Sequence, residues 1–401
     1  MSLSNSQFSI LNSPLIPPGY KQTEVGVIPE DWEVRTIGEM FRLNNGCAFK
    51  PEDWKQSGVP IIRIQNLNDP TAEFNFSQAP VSEKNRIESG DLLFAWSGTL
   101  GSSFGARIWN GPSGVLNQHI FKVLMDEKQI TLSYALLVFA RVEEDIAKQA
   151  HGFKASFVHV KKSDLVKVDL PVPPLPEQQA IAAALSDVDA LLAGLDQLIT
   201  KKRDLKQASM QQLLTGQTRL PGFYGEWEVK SLSTICSMKS GEGITSGNID
   251  LFSRYPCYGG NGLRGYAKRF THEGGYALVR RQGALCGNVY GVEGQFFASE
   301  HAIVVTPSAD TEIRWLTAVL GRMNLNQYSE SSAQPGLSVT KILKLEITTP
   351  STKAEQTAIA QVLTDMDAEL SALEQRREKT RALKQAMMQE LLTGRTRLVN
   401  G

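Results

Sequence analysis

Neither sign of charge is in excess in this sequence: 42 Lys and Arg stand against 42 Asp and Glu. That balance excludes a uniformly basic nucleic-acid binder, so any basic surface must be local and offset elsewhere. Cysteine is scarce. Cys47, Cys236, Cys257 and Cys286 form no CxxC pair and no His/Cys zinc spacing, which excludes a disulfide framework and a zinc module and fits reduced thiols in a cytoplasmic protein. No apolar run is long enough to cross a membrane. The opening "MSLSNSQFSI" lacks a basic region followed by an apolar run and is not expected to be a signal peptide. Catalytic equipment is missing too. There is no phosphate-binding GxxxxGK[ST], no dinucleotide GxGxxG, no HExxH, no GxSxG and no Asn-Pro-Pro or Asp-Pro-Pro box. Glu228-Val229-Lys230 imitates half of a nuclease carboxylate-lysine site, but the same strand recurs as Trp32-Glu33-Val34-Arg35, which favours a structural role. No catalytic residue, metal site or bound cofactor is expected in this chain.

What is present is a repeat. Residues 177–220, "EQQAIAAALSDVDALLAGLDQLITKKRDLKQASMQQLLTGQTRL", lie without a gap over 355–398, "EQTAIAQVLTDMDAELSALEQRREKTRALKQAMMQELLTGRTRL". About 27 of the 44 positions are identical, a duplication beyond chance. In the first copy Ile181, Leu185, Val188, Leu192, Leu195 and Ile199 alternate steps of four and three; in the second Ile359, Leu363, Met366, Leu370 and Leu373 do the same. This is a heptad seam. It turns polar at Arg377, and an apolar stripe is expected to resume with Leu383, Met387 and Leu391, leaving Met388 exposed. Pro176 suits a first helical turn, Thr352 and Glu355 suit a capping box, and Gly216 and Gly394 suit left-handed helix ends. Each helix is then about 60 Å long at 1.5 Å per residue.

The duplication reaches beyond the helices. "DLLFAWSGTLG" at 91–101 resembles "YALVRRQGALCG" at 276–287. "VLNQHIFKV" at 115–123 resembles "FFASEHAIVV" at 296–305, aligning His119 with His301, and "LVKVDLPVP" at 165–173 matches "ILKLEITTP" at 342–350. Each half is therefore a strand-rich domain followed by a long helix. The layout predicted is an extension at 1–25, a domain at 26–173, a helical spacer at 174–216, a second domain at 217–351, a second spacer at 352–394 and a tail at 395–401. "PGY" at 18–20 precedes Trp32 much as "PGF" at 221–223 precedes Trp227, so the chain stops near where a third copy would begin. A cyclic arrangement follows: an α+β fold in which the two helices pair antiparallel as a coiled-coil spacer, with a strand-rich domain at each end and a pseudo-two-fold internal repeat.

Two similar domains on a spacer suit a two-part target, and duplex DNA repeats its face about every 34–36 Å. Candidate contacts in the second domain are Arg264, Lys268, Arg269, Arg280, Arg281 and Gln282; in the first they are Lys154, Lys161 and Lys162. If the domains read different sequences, shared positions are scaffold and readers lie where the copies diverge. His119 and His301 are then structural histidines. Trp96 and Ser97 stand against Arg281 and Gln282, and the Lys154–Ser156 stretch stands against Ser331–Gln334.

At these residues the sequence resembles the specificity subunits of type I restriction-modification systems. The duplicated "EQ-x-AI" helix with its "LLTG" end carries the resemblance, together with "YPCYGGNGLRGY" at 255–266, "LCGNVYG" at 285–291, "SSAQPGLSV" at 331–339, "GVPIIRIQNL" at 58–67 and "GDLLFAWSG" at 90–98. The first domain departs from it at 151–160, where "HGFKASFVHV" replaces the "SSAQPGLSV" form. The resemblance implies two target-recognition domains reading a bipartite asymmetric double-stranded DNA target. It implies helices that set its nonspecific spacer, and two methyltransferase subunits using S-adenosylmethionine. It also implies restriction-translocase subunits using ATP and Mg, these cofactors belonging to the partners. Two other readings compete: a structural coiled-coil scaffold whose domains bind only protein, and a stand-alone nuclease or methyltransferase.

Overall fold

The computed structural model describes residues 16–69, 71–150, 157–260, 262–283, 285–329 and 336–398. The chain divides into two compact units: one runs to Ala193 and takes up again from Glu378, and the other is Gly194–Arg377. Each unit therefore holds one strand-rich head, one end of the first long helix, Leu175–Leu213, and one end of the second, Lys353–Leu391.

In the first unit a four-stranded antiparallel sheet runs in the order Gly105–Ile108, Leu92–Ala95, Ile120–Met125, Phe41–Asn45. A second sheet runs Asn75–Ser77, Val59–Ile62, Gly114–Leu116, Arg86–Ile87, with the middle pair parallel. The central strand Leu92–Ala95 is buried on both faces. Phe94 joins the core beneath the helix Leu132–Ala150, whereas Leu93 and Ala95 join the cluster between the sheets. That explains its unbroken apolar run. The second unit repeats the plan strand for strand. Its first sheet is Cys236–Ser240, Ala302–Pro307, Tyr276–Arg280, Val289–Val292, and its second is Gly262–Ala267, Tyr255–Gly259, Gln295–Ala298, His272–Glu273. The helix Ile313–Arg322 buries Trp315, Leu316, Val319 and Leu320 in that core. A short ladder closes each head by pairing an early strand with its last, Glu33–Thr36 with Asp169–Val172 and Glu228–Ser231 with Glu346–Thr349.

The heptad spacing holds in both helices. Ile181, Leu185, Leu195, Ile199, Ile359, Leu363 and Leu370 are buried, and Val188, Leu192, Met366 and Leu373 are half-buried. Polar partners show the direction. In the second unit Asp196 meets Arg377, Lys202 meets Glu369 and Lys206 meets Asp367, so residue numbers fall on one helix as they rise on the other. In the first unit Lys384 binds Asp189 at 2.6 Å. The helices are antiparallel in each unit. Their ends also serve the heads: Ile181 and Leu185 join the first core, and Ile359, Ala360 and Leu363 join the second. Two expectations are corrected. The stripe past Arg377 keeps strict heptad steps through buried Thr380 and half-buried Lys384, leaving Leu383 exposed, because helix geometry sets the facing positions whatever residues occupy them. Met388, expected at the surface, is buried against the first head's core.

The repeated helix starts have a structural purpose. In the first unit the fully buried Glu177 carboxylate accepts hydrogen bonds from Trp32 Nε1 at 2.8 Å and from Arg397 Nε and Nη2, each at 2.8 Å. Arg397 also forks onto Asp31 at 2.9 and 2.8 Å, and that bond holds the Asp31 carboxyl below its usual range. In the second unit Glu355 accepts from Arg219 Nη2 at 2.7 Å and Trp227 Nε1 at 3.3 Å. Thr352 caps the Glu355 N–H at 3.3 Å, but the Glu355 carboxylate turns to Arg219 and Trp227 rather than completing the expected capping box. The neighbouring amides brace the heads: Gln178 Oε1 accepts from Thr131 N and Gln356 Oε1 from Glu312 N, both at 2.9 Å, at the start of each head's helix. Both helices are followed by a left-handed glycine, Gly216 at φ +73° and Gly394 at φ +70°.

Candidate nucleic-acid interface

One edge of each head is built from the same backbone bonds. In the first, Gly46 N donates to Ile120 O, Asn117 N to Ile62 O, Trp96 N to His119 O and Val160 N to Trp96 O. In the second, Gly241 N donates to Ala302 O, Ser299 N to Tyr258 O, Arg281 N to His301 O and Leu337 N to Arg281 O. The strand Phe157–His159 runs beside Ser97–Thr99, and Gly336 bridges to Gln282. Trp96 and Arg281 therefore occupy one backbone position on two heads. Lys154, Ser156, Ser331 and Gln334 lie outside the described residues.

The side chains on this frame differ. Trp96 is half-buried, its ring 5.7 Å from Phe121, 5.0 Å from His119 and edge-on to His159 at 4.8 Å. Its Nε1 and the His119 Nδ1 are buried without a hydrogen-bond partner among the described residues. Ser97, expected beside it as a reader, is buried. Lys161 is exposed; Lys162 spends its ammonium on Leu43 O at 2.6 Å. The two histidines, expected to be alike, are not. His119 adopts φ +73° inside the aromatic stack, while the His301 side chain is about half exposed, 3.3 Å from Glu300. What the heads share is the histidine carbonyl.

In the second head Arg264 and Lys268 are exposed, and Arg269 pairs with Glu242 at 2.7 Å while lying over the Phe297 ring at 4.9 Å. Arg280 donates from Nε to Gln282 O at 2.8 Å, and its Nη1 is buried without a partner among the described residues. Arg281 donates to Ser240 Oγ at 3.0 Å. Gln282 is exposed. A β-carbon on Gly260 would lie 2.9 Å from both Arg280 Cγ and His301 O, and one on Gly259 would lie 2.4 Å from Arg264 Cδ. Glycine thus lets the chain pass between these arginines. Ser240 and the Gly259–Gly260 pair escaped sequence reasoning as site residues, although the "YGGNG" run marked the loop. In the first head Arg63, over the Trp54 ring at 4.7 Å and bonded to Asn75 at 2.9 Å, carried no signal in isolation. No cluster of His, Cys, Asp and Glu among the described residues can hold a metal, and no helix among them is long and apolar enough to cross a membrane.

Comparison with known proteins bears on this arrangement. The family model for the type I restriction modification DNA specificity domain matches residues 29–201 and 224–382, once for each half. The EcoprrI specificity subunit of Escherichia coli is 35% identical over 353 residues, covering 82% of this chain and 86% of that one. The putative MjaX specificity subunit of Methanocaldococcus jannaschii is 28% identical over 207 residues, about half of each chain. Among solved structures, the type I restriction-modification S subunit from M. genitalium superposes with a TM-score of 0.59 at 18% identity, covering 90% of this chain and 96% of the other, which speaks to the fold. The chain belongs to the type I restriction-modification DNA specificity family and is a DNA sequence-specificity subunit.

Proposed function

We propose that each head reads one half of an asymmetric bipartite duplex, and that the two long helices set the gap between the half-sites and dock two methyltransferase subunits. The observation that carries this reading is the common backbone frame bearing different side chains, above all Trp96 against Arg281. A shared scaffold with divergent readers gives related approaches to DNA and unlike sequences at the two sites. The helices suit a measuring role, since each runs unbroken for 39 residues, about 58 Å at 1.5 Å per residue. In this reading the chain performs no bond-making step. S-adenosylmethionine, ATP and Mg are handled by the partner methyltransferase and restriction-translocase subunits, and the assembly acts in the cytoplasm.

The test is to map methylated adenines in cells carrying the complete system, then with the head at 26–173 replaced by that of another specificity chain. One half of the motif should change and the other stay. Methylation that ignores the exchange refutes the reading. Removing seven residues from each long helix, about 10 Å of rise, should shorten the preferred gap; an unchanged gap removes the helices from the measurement. If the heads bound only protein, the assembled complex would show no salt-sensitive DNA affinity to titrate.

A further inference from the structure

The position that Trp96 and Arg281 share allows a finer assignment, which rests on the reading just given. Arg281 is held at both backbone ends, its N–H on His301 O at 3.2 Å and its carbonyl under Leu337 N at 3.0 Å. Its side chain is held as well, through Nη1 on Ser240 Oγ. No carboxylate neutralises it among the described residues, whereas nearby Arg269 is paired with Glu242. A guanidinium fixed in place, still charged and with donors to spare, is arranged for a target of fixed geometry. A planar fork matches the O6 and N7 acceptors of guanine, and it also matches phosphate oxygens, so the salt dependence of the variant is what separates the two. Arg280 next to it cannot do the same work, since it is walled by Gly260 and Gly283 and its Nε is spent on Gln282 O. At the matching position of the first head, Trp96 has a single N–H, which is buried, and one donor cannot make the two parallel bonds.

We infer that Arg281 reads a guanine in the half-site of the second head, and that the first head makes no guanine contact at the corresponding position. The test uses the full chain co-purified with its modification subunits and a randomised duplex library, with bound sequences recovered and read. Wild type should select a bipartite motif with a G·C pair whose enrichment depends on Arg281. Arg281→Gln should lose about ten- to a hundred-fold discrimination at that one pair, leaving the other half intact. Ser240→Ala, which frees the fork at an exposed site, should relax the same pair by a smaller factor. Trp96→Ala should leave every G·C preference of the second half unchanged. If Arg281→Gln weakens all sequences equally and makes the salt dependence shallower by about one phosphate, Arg281 is a backbone anchor and the inference is overturned. Loss of preference at an A·T pair overturns it too. A wild-type complex that selects no motif sinks the proposed function as well, which separates the two failures.

Discussion

The two units carry one clasp in two versions. In the second, Arg219 and Trp227 are close in sequence, and the arginine needs only Glu355 and two nearby carbonyls, Gly225 O and Tyr224 O. In the first, Arg397 comes from the far end of the chain and binds both Glu177 and Asp31, while Trp32 is fully buried and its bond to the carboxylate is shorter, 2.8 against 3.3 Å. The difference has a physical reason. Both arginines close long loops onto their carboxylates, 136 residues for Arg219 and 220 for Arg397, but Arg219 is also tied to its neighbour Trp227 by a short connection that Arg397 lacks, and the closure cost grows slowly with length. Stronger non-covalent fixing stands where covalent continuity is missing. The chain thereby closes on itself in its contacts, as the recurrence of "TRL" suggests.

Breaking the clasps should expose the difference most strongly. Arg397→Ala leaves a buried Glu177 without its cation and should destabilise the first unit by about 4 kcal/mol. Arg219→Ala leaves the likewise buried Glu355 without its cation and should cost about 3 kcal/mol in the second, less because that arginine holds one carboxylate rather than two. Urea unfolding followed by hydrogen exchange within each unit measures both, and equal losses would remove the loop-closure argument. The terminating glycines come next. Each has positive φ, but a β-carbon on Gly394 would lie 2.4 Å from Pro29 Cδ, while one on Gly216 would only approach Trp227 at 3.1 Å. Gly394→Ala should cost about 3 kcal/mol and Gly216→Ala about 1 kcal/mol, read from the same unfolding curves.

A third asymmetry concerns pH. Against the edge strand Gly105–Ile108 stands Glu143, whose carboxyl accepts from Ala106 N at 2.7 Å and is pushed up to about 7 by burial. The corresponding strand of the second unit has Gly291 facing Thr317 instead. The folded first unit thus holds its proton more tightly than the unfolded chain. Its stability should fall as pH rises from the ordinary glutamate value toward 7, where the buried group must ionise. Glu143→Gln should flatten that slope and stabilise the first unit above pH 7 by about 2 kcal/mol. Stability measured across this range in both proteins checks it; parallel curves would contradict the assignment. The smallest effect belongs to the exposed ladder between the helices. Lys384→Met should change stability by no more than about 0.5 kcal/mol, detectable as a small shift in urea midpoint.

The helices were legible because a heptad is a local pattern and a helix converts spacing into a face. Even Lys384 follows that rule once composition is set aside. The heads were legible as repeats, through "VKVDLPVP" against "LKLEITTP" and the two histidines, but their chemistry was not. Ser97 is buried by the rest of its head, and Lys162 is spent on the carbonyl of Leu43, far away in sequence. Neither fact is written in the neighbouring residues. The equivalence of Trp96 and Arg281 was visible as an alignment; only the bonds to His119, His301, Val160 and Leu337 show it to be one position in space.

By itself, the amino-acid order determined the duplication and the two long helices with their phase and glycine ends, because each of these rests on periodicity or repetition along the chain; the family was legible through the resemblance of its motifs. Tertiary structure alone decided that the "EQ" and "TRL" motifs form a clasp, that each helix divides its burial between its partner and a head, and that Arg281 is held by backbone bonds and Ser240. Those outcomes depend on groups distant in sequence meeting where water is excluded, and there the pairing of charges and hydrogen bonds is settled by geometry.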